Sequence, residues 1–291
     1  MIDEPLIDTP FLLGMMRLHE YEELHSPGAM ADWIEARLDQ GLNWFDHADI
    51  YGDGQGESLF GDAIKLRPAL RSRVHVVSKA GVIPPQRDPS ALSVKHYDSS
   101  PGHLSAAIDN ALKRLGIERL DHFLLHRADP LMDAEATGRM LDDAIEAGKI
   151  GAAGVANFLP EQWRRLQAAM HHRLVGHQLK LSLAYPEPLF NGLFDAMIGD
   201  GQQPMAWSPL GGGVVFEDVL GESLSRLSVD FDTSSAGLAL AWLRGLPGRP
   251  VPVMGTLRES RIDELLSGAC LALDRSTWFA LLEEARSQRV F

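Results

Sequence analysis

Short apolar, β-branched runs alternate with longer amphipathic segments from one end of this chain to the other, and this alternation limits the fold more than any other feature. The runs lie at 11–15, 42–46, 74–79, 122–126, 151–155, 176–179, 205–207 and 251–254, all of strand length. Segments with helical periodicity separate them at 27–40, 56–66, 102–115, 134–147, 160–170, 187–199, 234–244 and 259–267. Strands that alternate strictly with helices pair in parallel, because each crossover returns the chain to the same end of the sheet. Eight such units predict a (β/α)8 TIM barrel, with two extra helices near 215–227 and 274–287 outside the alternation. Gly116, Gly148 and Gly245 stand where helices should stop. No linker, repeat or low-complexity tract interrupts residues 1–291, so a single barrel domain is expected.

Composition narrows the function classes. An apolar content of 45% is ample for a large core, and a net charge of −13 repels nucleic acid and anionic membrane surfaces. One cysteine, Cys270, rules out an internal disulfide and fits a reducing compartment. The opening Met1-Ile2-Asp3-Glu4-Pro5 lacks the basic and apolar stretches of a secretion signal, and no apolar run nears the roughly 20 residues of a membrane span. A cytoplasmic protein with a small-molecule partner is the expectation, its oligomeric state unspecified.

Three consecutive candidate strands end on chemically active residues: Asp46, Lys79 and His126. Tyr51 follows the first of these by five residues, just before Gly52. On a barrel such ends face one mouth, where active sites sit. Singly, each has an ordinary explanation: a turn-capping aspartate, a rim lysine, a packed histidine, a loop aromatic. Together they form a proton donor. A lysine cation about 4 Å from a phenol, at an effective dielectric of 20, attracts the phenolate by on the order of 4 kcal/mol. That would lower the phenol by roughly two to three pKa units. Asp46 would neutralise and hold the lysine, and His126 would orient a carbonyl oxygen.

A donor of this kind needs a reductant. No G-x-G-x-x-G opens a strand–helix unit, so a Rossmann site is not supported. Barrels often bind phosphate with the loops after their last two strands. Here Ser208-Pro209-Leu210-Gly211-Gly212-Gly213 follows the seventh strand, and Gly255-Thr256-Leu257-Arg258-Glu259-Ser260-Arg261 the eighth. The glycines would let backbone amides approach a pyrophosphate, and Arg258 and Arg261 would grip a terminal phosphate at a helix start. Trp207 is placed to stack on a flat ring, while Asn157 and Gln178 could hold a carboxamide. The long segments 80–101 and 208–233 read as lid or pocket loops.

The chain resembles the aldo-keto reductases, in particular a bacterial oxidoreductase branch. The resemblance rests on residues 46–52 (Asp-His-Ala-Asp-Ile-Tyr-Gly), 124–133 (Leu-Leu-His-Arg-Ala-Asp-Pro-Leu-Met-Asp) and 206–213 (Ala-Trp-Ser-Pro-Leu-Gly-Gly-Gly), and it extends over nearly the whole length. It implies a metal-free barrel that reduces aldehydes or ketones with NADPH, NADH being the alternative. It further implies Tyr51 as general acid within a tetrad with Asp46, Lys79 and His126. By the same likeness Asn157 and Gln178 hold the nicotinamide amide and Trp207 stacks on its ring. Ser208, Leu210 and Gly212 fall in the pyrophosphate loop, and Thr256 and Arg261, with Arg258 nearby, at the 2′-phosphate.

Two positions depart from the pattern. Ala156-Asn157 stands where many relatives have Ser-Asn, a lost hydroxyl contact of about 1 kcal/mol. Gly255 stands where many place a lysine, so the preference for NADPH rests on the arginines. Met16, Arg17, Ile50, Tyr97 and Phe158 are the candidate substrate-pocket residues. Two rival readings are a cofactor-binding regulatory subunit and an aldolase-type barrel using Lys79 as a Schiff-base nucleophile.

Overall fold

The computed structural model describes residues 7–88 and 92–287; the opening five residues and Pro89 lie outside them. Among the described residues ten strands run in chain order: β1 (Leu12–Gly14), β2 (Trp44–Asp46), β3 (His75–Ala80), β4 (Val82–Ile83), β5 (His96–Tyr97), β6 (Leu120–Leu125), β7 (Ile150–Ala156), β8 (Leu174–Lys180), β9 (Gln203–Trp207) and β10 (Val251–Met254). Eight of them close a barrel in the order β1-β10-β9-β8-β7-β6-β3-β2. The pairings β2–β3, β3–β6, β6–β7, β9–β10 and β10–β1 are all parallel, as strict alternation requires.

The helices are α1 (Pro27–Asp39), α2 (Gln55–Leu66), α3 (Pro101–Leu115), α4 (Ala134–Glu146), α5 (Pro160–Gln167), α6 (Leu193–Gly199), α7 (Asp218–Asp230), α8 (Ser235–Arg244), α9 (Glu259–Ser267) and α10 (Arg275–Arg286). Local chemistry sets their ends. The hydroxyl oxygens of Ser26, Ser100 and Ser234 cap α1, α3 and α8 by accepting from the amides of Ala29, His103 and Gly237. Gly116 closes α3 at φ 66°, a left-handed conformation that a side chain disfavours.

Two expectations change. The segment 187–199 is not one helix: a 3-10 turn over Glu187–Leu189 is separated from α6 by Gly192 at φ 81°, which breaks the helical path. The segment 80–101 carries an antiparallel pair, with Val82 opposite Tyr97 and Ile83 opposite His96. The extra helix expected near 215–227 is α7, which fills much of the segment 208–233.

The described residues gather into two compact units, residues 14–177 forming most of the first, and residues 8–13 with 178–287 the second. Within the first unit, β2, β3, β6 and β7 carry near-continuous apolar burial, the mark of parallel strands covered on both faces. Phe45, Phe60, Phe123 and Trp163 are among its largest fully buried side chains, and Trp242 serves the second unit. Among the described residues no helix is long and apolar enough to cross a membrane.

Candidate active site

In the first unit Asp46 ends β2, Lys79 is the penultimate residue of β3 and His126 follows β6 directly. Parallel register aligns Lys79 with Leu124, so these carboxyl ends lie side by side. Lys79 Nζ donates to Asp46 Oδ1 at 2.6 Å and to the His47 carbonyl at 2.8 Å. It lies 5.2 Å from the centre of the Tyr51 ring, and that ring meets His126 edge-on at 6.1 Å. The structure brings all four residues together.

Their electrostatics differ from expectation. The Tyr51 hydroxyl is not lowered; burial first, then the Asp46 carboxylate, hold it well above its ordinary value. Asp46 takes the ammonium for itself, and a buried phenolate would face carboxylates as well as a cation. Tyr51 therefore stays protonated across the neutral range, the state a proton donor needs. His126 is pushed well below its usual value by burial and by Lys79, so it is a neutral imidazole. Lys79 is lowered by burial, and its carboxylate partner opposes that shift. Fully enclosed and ion-paired, it offers no exposed amine to a carbonyl, which counts against the Schiff-base reading.

The turn bearing Tyr51 is unusual. Gly52, Asp53 and Gly54 follow it at φ 55°, 57° and 84°, three left-handed residues in succession. A side chain on Gly52 would sit 3.0 Å from His19, and one on Gly54 3.0 Å from Arg114. Conformation and close neighbours both favour glycine at these two positions.

Three neighbours of the tetrad escaped the sequence reading. His47 is fully buried, both ring nitrogens lack hydrogen bonds among the described residues, and burial with Lys79 lowers it to about 3. Asp49 is buried with Oδ1 unpartnered, and burial raises it to about 6 despite Arg87. Glu57, at the start of α2, accepts from Ser78 Oγ at 2.6 Å and from Arg114 Nε at 2.7 Å, backing β3 beside Lys79. A residue's partner across dozens of positions leaves no local periodicity to read.

The remaining candidates are distributed as follows. Asn157, just past β7, sits at φ 60° and donates from Nδ2 to the His126 carbonyl at 3.4 Å. Ile50 and Tyr97 are half-buried. Met16 and Arg17 are exposed in the 3-10 turn Met15–Glu20. Phe158 is 1% exposed, and its amide donates to His177 Nε2 at 3.3 Å.

In the second unit Gln178 is buried on β8 and Trp207 ends β9 half-buried, with Lys180 Nζ 5.8 Å from its ring centre. Trp207 pairs with Val253 on β10, so the segments leaving β9 and β10 start from neighbouring strands. Ser208 has φ 55°, and Gly211, Gly212 and Gly213 have φ 58°, 73° and 113°. A side chain on Gly212 or Gly213 would meet nothing within 4 Å, leaving open backbone at that loop. At the other segment Arg258 is the N-cap of α9 without a side-chain cap, and Thr256 Oγ1 accepts from the Arg258 amide at 3.3 Å. Arg258 and Arg261 are exposed. Open glycine backbone, an uncapped helix start and two solvated guanidinium groups fit a phosphate-bearing cofactor.

Comparison with known proteins settles the family. The profile of the Aldo/keto reductase family matches residues 10–283. The chain belongs to that family. This aldo-keto reductase is an NAD(P)H-dependent oxidoreductase. It is 38% identical over 280 residues to a 6-dehydroglucose reductase of Agrobacterium fabrum, covering 95% of this chain and 94% of the relative. It is 34% identical to the oxidoreductase YdhF of Escherichia coli, covering 94% and 93%. Among solved structures, an aldo/keto reductase from Klebsiella pneumoniae in complex with NADP and acetate shares the fold, with a TM-score of 0.78, 22% identity and 97% and 93% coverage. A thermostable aldo-keto reductase bound to epalrestat superposes with a TM-score of 0.81 at 22% identity, covering 96% and 95%.

Proposed function

We propose that this aldo-keto reductase uses NADPH to reduce the carbonyl of a small aldehyde or ketone, with Tyr51 as general acid. The observation that carries this reading is the grouping of a protonated phenol, a buried ammonium and a neutral imidazole at neighbouring strand ends. Tyr51 and neutral His126 donate hydrogen bonds to the carbonyl oxygen, polarising the carbon. The nicotinamide, when bound, supplies hydride to that carbon. Tyr51 gives its proton to the oxygen as charge develops there, leaving an alcohol and a phenolate. Lys79, held by Asp46, stabilises the phenolate until it is reprotonated.

Asn157, Gln178 and Trp207 hold the nicotinamide end, Ser208, Leu210 and Gly212 the pyrophosphate, and Thr256, Arg258 and Arg261 the 2′-phosphate. NADPH is favoured over NADH because Arg258 and Arg261 bring local positive charge to an acidic chain. A hexose-derived aldehyde is the first substrate to try, since two relatives, 38% and 33% identical, are named 6-dehydroglucose reductases.

The test is NADPH consumption with p-nitrobenzaldehyde, glyceraldehyde and 6-dehydroglucose. Tyr51→Phe should lower kcat by at least about a hundredfold, in the range of a lost general acid, while leaving NADPH affinity nearly unchanged. An unaltered kcat would remove Tyr51 from the chemistry.

A further inference from the structure

We propose that Arg87 is a positioning residue, a clamp from the segment between β4 and β5 that fixes the turn carrying Tyr51; the proposal rests on Tyr51 being the acid. Its guanidinium grips the turn on both sides of the tyrosine. Nη2 donates to the Asp49 carbonyl at 2.6 Å, Nη1 to Asp49 Oδ2 at 3.3 Å, and Nε to Asp53 Oδ1. Asp49 and Asp53 lie two residues before and two after Tyr51.

The turn needs such a clamp. Asp53 holds a left-handed conformation at φ 57°, which costs a non-glycine residue free energy and persists only where surroundings enforce it. The turn's own backbone bonds, Tyr51 to Ala48 at 3.1 Å and Asp53 to Ile50 at 3.3 Å, are short-range ones. The Asp49 amide is tied to the Lys79 carbonyl at 3.0 Å, which holds the start of the turn, and the Gln55 amide bonds back to the Gly52 and Tyr51 carbonyls where α2 begins. Arg87 spans both.

The clamp is itself braced. Arg87 closes a 3-10 turn over Pro85–Arg87, where Pro84 before the turn and Pro85 within it restrict the backbone. Ser93 Oγ donates to the Pro85 carbonyl at 2.9 Å, and the Val94 amide to Asp88 Oδ2 at 2.9 Å. A planar guanidinium presents its donors at fixed, separated positions that reach a carbonyl and two carboxylates at once, whereas an ammonium concentrates its three donors on one atom. Among the described residues Arg87 makes its side-chain bonds to Asp49 and Asp53 and none to the tetrad, so its effect on the reaction passes through the placement of the Tyr51 hydroxyl. A shift of about 1 Å at a reacting group can cost on the order of a hundredfold in rate.

The experiment compares the parent enzyme, Arg87→Ala, Arg87→Lys and Tyr51→Phe with NADPH and whichever of p-nitrobenzaldehyde, glyceraldehyde or 6-dehydroglucose turns over fastest. Arg87→Ala should lose roughly ten- to a hundredfold in kcat while the carbonyl KM and the NADPH Kd change less than about twofold. Added guanidinium should restore part of that kcat and leave Tyr51→Phe unimproved, a rescue that general loss of packing does not give. Arg87→Lys should behave like Arg87→Ala without guanidinium, and it decides the matter by the same criteria if the alanine variant does not fold. A kcat within twofold of the parent in both Arg87 variants, with Tyr51→Phe inactive, overturns the clamp and leaves the general acid standing. So does a loss that guanidinium cannot reverse. Full activity in Tyr51→Phe overturns both.

Discussion

Lys79 Nζ and Asp46 Oδ1 lie 2.6 Å apart in a site where neither side chain reaches solvent. Each compensates the desolvation of the other, and the His47 carbonyl accepts a further ammonium proton.

Removing one partner should therefore cost more than removing both. Asp46→Asn leaves an uncompensated buried ammonium and is expected to lower unfolding free energy by about 3–5 kcal/mol. Replacing the pair together, Asp46→Leu with Lys79→Met, should recover most of that loss yet remain inactive. Urea denaturation beside turnover measurements checks both halves; a double variant no more stable than Asp46→Asn would contradict the ion-pair account.

His47 links stability to acid. Its folded value near 3 lies below the ordinary 6.5 of an unfolded histidine, so the folded state binds fewer protons. Stability from this group is fully present above pH 6.5 and is lost as pH falls from there toward 3. The total is on the order of 5 kcal/mol, at about 1.4 kcal/mol per unit. His47→Gln should hold its stability better than the parent between pH 6 and 4, read as the difference between their denaturation midpoints.

Asp49 acts with the opposite sign. Its folded value near 6 exceeds the ordinary 3.8, so its favourable contribution is complete below pH 3.8 and is lost as pH rises through 6. By neutral pH the ionised carboxylate costs about 3 kcal/mol. Asp49→Asn should raise stability at pH 7 and have little effect at pH 3.5. Between pH 4 and 6 the slopes of His47 and Asp49 oppose one another, so each single substitution should expose the other's slope.

Cofactor preference should follow the arginines at the start of α9. Arg261→Ala is expected to weaken NADPH by about tenfold or more, the scale of one charge-assisted phosphate contact, while NADH changes little. Fluorescence titration with both dinucleotides measures this. An equal loss for the two would place Arg261 away from the 2′-phosphate.

The barrel was legible because its signals are local. Strand-length apolar runs, helical periodicity and glycine stops are each read within a few residues, and they placed Asp46, Lys79 and His126 at three successive carboxyl ends. The helix expected at 187–199 was misread because Gly192 adopts a left-handed φ that composition alone does not reveal. Arg87 was missed because its contact with Asp49 bridges 38 positions.

From its order of residues alone this chain was committed to parallel strands alternating with helices, and so to gathering an acid, a lysine and a histidine at neighbouring strand ends. Which of these groups is charged was settled by folding. Proton affinity depends on the water excluded and on the charges within a few ångströms, and both arise from packing between distant segments. Tyr51 is accordingly a reluctant acid, well above its ordinary value, rather than the readily ionised phenol that the lysine alone would predict.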